Sequence, residues 1–107
     1  MDVLDRIKQQ IEQNPVLLYM KGTPSFPQCG FSGRAVQVLQ ACDVEFSYVN
    51  IFEDPEIREN LKRYSNWPTF PQLFIHGELI GGSDIILEQY ESGELQKLLP
   101  QPATGTH

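Results

Sequence analysis

After Asp2, a candidate helix cap, the apolar positions Val3, Leu4, Ile7 and Ile11 recur at helical spacing, and Asn14-Pro15 stops the run. The stretch "VLLYM", Val16 to Met20, is continuously apolar and of strand length, the pattern of a central strand covered on both faces. A Pro- and Gly-rich loop follows from Lys21 to Gln28. Beyond Cys29, residues Phe31, Ala35, Val38, Leu39 and Cys42 fall on one helical face, and Phe46 to Ile51 reads as a second strand. Strand, helix, strand implies a right-handed parallel crossover.

Asp54-Pro55 supplies an N-cap and a proline at the first helical position, opening a helix with Ile57, Leu61 and Tyr64 on its inner stripe. "NWPTFP" breaks it. "QLFI" and "ELI" flank His76-Gly77, a short turn that predicts an antiparallel hairpin. Gly81-Gly82-Ser83 leads into a helix carrying Ile85, Ile86 and Tyr90. Ser92-Gly93 interrupts it before a last apolar turn at Leu95, Leu98 and Leu99. The expected fold is α/β, a four-stranded mixed sheet flanked by helices on both faces, with a disordered tail over 100–107.

At 107 residues and 12.2 kDa the chain has room for one domain with its own core. A net charge of −6 and a pI near 4.7 argue against general affinity for nucleic acid or anionic membranes. The first twenty residues intersperse charges among the apolar ones and read as neither a signal peptide nor a membrane span, so the expected location is cytoplasmic. Two cysteines in such a chain point to reactive, metal-binding or buried thiols before a disulfide. His76 and His107 lie far from both in sequence, so zinc-ligand spacing is missing.

Cys29 is placed just past the first strand and at a helix start, where ligand-binding groups of open α/β sheets gather. Unpaired N–H groups and the helix dipole favour thiolate there, and Lys21 adds positive charge if the loop folds back. Cys29 is thus a candidate nucleophile or metal ligand, against the alternative of a buried structural thiol. Cys42 continues the apolar stripe and is assigned to the core. Thirteen residues of helix span about 20 Å, too far for the two to form a disulfide.

Three further places carry chemistry. Phe70-Pro71 precedes the third strand; base rates favour a trans bond, whereas a cis bond would turn the Phe70 backbone toward Cys29 to pair with an extended peptide. Arg58 and Lys62 form an i, i+4 pair that suits either a carboxylate or a solvated helix face. Ser83 and Asp84 are expected to cap their helix, with Asp84 alternatively receiving a ligand ammonium group.

Together "KGTPSFPQ", "CGFS" at Cys29 to Ser32, "WPTFPQLFI" and "GGSD" resemble the monothiol glutaredoxins of the Cys-Gly-Phe-Ser class, a thioredoxin-fold family, over residues 1–99. The resemblance implies a glutathione site in which Lys21 and Arg58 hold the glycine carboxylate. The Phe70 backbone, before a cis Pro71, would pair with the cysteinyl unit, and Ser83 with Asp84 would hold the γ-glutamyl end. Family members often carry cysteine where this chain has Ser83, which removes the most obvious internal partner for Cys29. Two functions follow from the resemblance. One is iron-sulfur cluster assembly or transfer, with a 2Fe-2S cluster bridging a homodimer through Cys29 of each chain and two glutathiones, since such a cluster needs four ligands. The apo chain would be monomeric, and BolA-like proteins and cluster recipients would be its partners. The other is glutathione-dependent disulfide exchange at Cys29. An interaction module with an inert Cys29 is a third reading.

Overall fold

The computed structural model describes residues 2–100. Its elements run α1 (Val3–Gln13), β1 (Val16–Met20), α2 (Gly30–Ala41), β2 (Ser47–Asn50), α3 (Pro55–Ser65), β3 (Gln72–Ile75), β4 (Glu78–Gly81), α4 (Ser83–Ser92) and α5 (Glu94–Leu98). The sheet order is β2-β1-β3-β4, with β1 parallel to β2 and antiparallel to β3, and β4 antiparallel to β3. The expected mixed sheet is therefore present. Of the expected tail, the stretch from residue 101 lies outside the described residues, while Pro100 is half-buried. No helix among the described residues is long and apolar enough to cross a membrane.

β1 is buried at every position, as its unbroken apolar run requires. Alternation sends Val16, Leu18 and Met20 into a core with Ala35, Leu39, Ile86 and Leu95, beneath α2, α4 and α5. Leu17 and Tyr19 point the other way, to Ile7, Ile11, Ile57 and Leu61 of α1 and α3. Asp2 caps α1 by accepting from the Asp5 N–H, and Asp54 caps α3 through the Ile57 N–H with Pro55 at the first helical position. Arg6 then ties α1 to α3 through Asp54 and Glu56. The hairpin turns on His76 and Gly77 with φ of 50° and 84°, the double left-handed pair of a type I′ turn.

Four expected inner positions are exposed: Leu4, Phe31, Tyr64 and Leu98. Periodicity locates the buried stripe but not its width, and each of the four lies on an edge or an end of its helix. In α2 the stripe is turned so that Ser32, Ala35, Val36, Val38 and Leu39 are buried, and Phe31 is released to solvent beside Cys29. The expected capping of α4 is also corrected. The N-cap is Gly82, extended and without a side-chain cap bond, so Ser83 and Asp84 are already inside the first turn.

Candidate functional site

Cys29 is itself the N-cap of α2, and its Sγ accepts from the Ser32 N–H at 3.3 Å. The Ser32 hydroxyl, fully buried, lies 3.5 Å from the sulfur and accepts the Lys21 N–H at 3.1 Å. With that lone pair engaged, the hydroxyl proton is free to be donated to a thiolate. Burial pushes the Cys29 thiol up, but the Ser32 hydroxyl, the Ser32 and Phe31 N–H groups and the Lys21 charge outweigh it and leave the thiol below its ordinary pKa. Cys42 differs. It caps the other end of the same unbroken helix, is half-buried against the core, and is raised by burial. Both cysteines are free thiols.

The loop before Cys29 is a small closed hairpin. Gln28 N–H donates to Lys21 O at 2.9 Å, Thr23 and Phe26 exchange backbone bonds, and the Gly22 N–H donates to Asn50 Oδ1 at 3.0 Å. Gly22 has φ +92°, and a Cβ there would stand 2.5 Å from Phe26 O, so the turn needs glycine. This brings Lys21 back against the start of α2.

A groove of about 430 Å³ runs beside the thiol. It gathers Lys21, Arg58, Phe70, Pro71, Ser83 and Asp84 from four separate parts of the chain. The Phe70–Pro71 bond is cis. The β1–β3 ladder stops at Gln72, so the Phe70 N–H and C=O stay outside it. Arg58 stacks on the Phe52 ring at 5.4 Å and Lys62 stands over the Phe70 ring at 5.8 Å. Lys62 thus joins the groove, and the i, i+4 pair is no ordinary solvated face. Asp84 sits in the first turn of α4. There the Ser83 hydroxyl is buried without a hydrogen-bond partner among the described residues, as is Trp67 Nε1, which stands 3.3 Å from where a Gly82 Cβ would be. Orphaned buried donors of this kind suit a polar ligand.

Cys29 does not line this groove. It borders a second, shallower one with Pro27, Gln28, Gly33, Arg34 and Gln37. The sequence pattern did not single out Ser32, which entered only as the last residue of Cys-Gly-Phe-Ser. Its position three residues after a capping side chain was the available signal, because that is where an N-cap meets a backbone N–H.

The sequence profile of the glutaredoxin family matches residues 16–80. This chain belongs to the glutaredoxin family. Glutaredoxin 4 of Haemophilus ducreyi is 59% identical over 104 residues, covering 97% of each chain. The reduced apo GrxS14 of poplar, solved in solution, is 49% identical with a TM-score of 0.78, covering 89% of this chain and 87% of that one. A buckwheat glutaredoxin-glutathione complex has a TM-score of 0.80 at 23% identity, covering 90% and 86%, a likeness of fold. The glutaredoxin described here is monothiol in its motif, with Ser32 at the position of a second cysteine, and its sheet is that of the thioredoxin fold.

Proposed function

We propose that this monothiol glutaredoxin binds glutathione in the groove beside Cys29 and carries a 2Fe-2S cluster between cytoplasmic proteins, shared by two chains. The observation that carries the reading is a partly exposed thiol with a lowered pKa at the start of α2, close to a groove that gathers Lys21, Arg58 and Lys62 with Asp84. Glutathione presents a carboxylate at one end and an ammonium with a carboxylate at the other, joined by amides and a thiol. Lys21, Arg58 and Lys62 suit the first end. Asp84 suits the ammonium, and the Ser83 hydroxyl with the α4 N-terminus suits the second carboxylate. The free Phe70 N–H and C=O suit the amides between them.

Ligand number argues for sharing. Among the described residues no three His, Cys, Asp or Glu gather as a metal site, and Cys42 sits at the opposite end of α2 from Cys29. A cluster with four thiolate ligands then takes Cys29 and one glutathione from each of two chains. Ser32 favours the Cys29 thiolate, and Lys21 offsets the anionic cargo. Cluster recipients and BolA-like proteins would meet the same face. Disulfide exchange with glutathione is the second reading, favoured by the same lowered thiol pKa.

Anaerobic reconstitution with iron, sulfide and glutathione tests the proposal by absorbance. Wild type and Cys42→Ser should show charge-transfer bands, the latter at a stability loss of about 1 kcal/mol. Cys29→Ser, or S-methylglutathione in place of glutathione, should show none. Bands that survive Cys29→Ser would return Cys29 to disulfide exchange.

A further inference from the structure

The second groove, about 610 Å³ and open to solvent, holds no part of the proposed glutathione site, yet it is the one that Cys29 lines. We propose that it receives an extended segment of the partner polypeptide that reacts or exchanges cargo at Cys29, with an acidic side chain of that segment meeting Arg34. The inference rests on Cys29 being the reactive group.

Four features point to this occupant. The chain carries 14 acidic and 8 basic residues, but Arg34 is the one charged side chain on this groove besides the thiol, and it makes no ion pair or side-chain hydrogen bond among the described residues. The floor is low: a Cβ at Gly30 would meet nothing within 4 Å, and one at Gly33 would make only ordinary contact with Pro27 at 3.6 Å. A backbone can therefore lie close to Sγ. The exposed Gln37 amide offers both a donor and an acceptor to that backbone. Finally, Phe26, 74% exposed and next in the chain to Pro27 of this groove, is an uncovered aromatic anchor. An anionic, partly apolar segment complements this surface, and a cationic one does not.

The test uses two synthetic peptides, each with one cysteine blocked as a neutral 2-pyridyl disulfide and flanked by Asp and Glu in one, Lys in the other. The Cys29 thiolate attacks the peptide sulfur. A Cys29–peptide disulfide forms, the peptide–pyridyl S–S bond breaks, and the departing electron pair takes a proton to give pyridine-2-thione, read by absorbance. Low salt should give the acidic peptide about a two- to five-fold faster reaction, the scale of one exposed ion pair, and 1 M salt should erase the difference. Arg34→Glu should reverse the preference and leave the rate with bis(2-hydroxyethyl) disulfide unchanged. Lys97→Glu, the same charge change in α5 outside both grooves, should preserve the preference. Equal rates for both peptides with wild type, or a preference shifted as much by Lys97→Glu as by Arg34→Glu, would overturn the groove assignment. Failure of wild type with the small disulfide would instead overturn the reactive-thiol reading itself. An Arg34→Glu effect confined to self-association of the cluster-loaded protein would give the groove to a second copy and also overturn the proposal.

Discussion

At the scale of single residues, the site depends on which atoms face one sulfur. Ser32 donates its backbone N–H to the sulfur and can donate its hydroxyl to the thiolate form, because the Lys21 N–H already occupies one of the hydroxyl's lone pairs. Alkylation of Cys29 by iodoacetamide should therefore rise through a midpoint below the ~8.5 of an unperturbed thiol, and Cys42 should react only above it. Lys21→Glu and Ser32→Ala should each raise the Cys29 midpoint. Ser32→Ala also leaves the Lys21 N–H without an acceptor, at about 1 to 3 kcal/mol of stability. The sign of the linkage follows: ionisation at lower pH in the folded state adds stability that is complete above about 8.5 and is lost as pH falls through the folded midpoint. An unperturbed midpoint that neither substitution moves would remove the electrostatic account of the thiol.

At the scale of elements, the groove is made where separate segments end. β1 delivers Lys21, α3 presents Arg58 and Lys62, the cis Phe70–Pro71 bond opens β3, and α4 starts at Ser83. Arg58→Ala and Asp84→Ala, both exposed, should each weaken glutathione binding up to about five-fold by calorimetry, the scale of an exposed ion pair, without loss of fold. Wild-type affinity in both would place the ligand elsewhere. Most of these elements were legible in the chain, since β1 is an unbroken apolar run and Asp2, Asp54 and Pro55 mark helix starts by local chemistry. Phe31 and Tyr64 were misread because spacing gives a stripe's direction and not its edges. Ser83 was misread as a cap because the extended conformation of Gly82 moves the N-cap back by one residue. The meeting of Arg58 with Phe70 and Asp84 is a product of the tertiary fold, so no local pattern encodes it. The family resemblance implied most of that set, helical spacing offered Lys62 beside Arg58, and the fold then added Ser32.

At the scale of the whole molecule, an acidic chain keeps a mainly cationic groove close to the start of α2, and a separate groove that Cys29 and Arg34 line. Under the proposed function each chain would bring one protein thiolate to a cargo that needs four, so the cargo itself would be the bridge between chains. Native mass spectrometry of the anaerobically reconstituted protein tests this most directly, because it counts chains, cluster and glutathione in one species. The account predicts two chains, one 2Fe-2S cluster and two glutathiones, falling apart to monomers when the cluster is chelated. A cluster on a single chain, or a cluster-bearing dimer without glutathione, would contradict it.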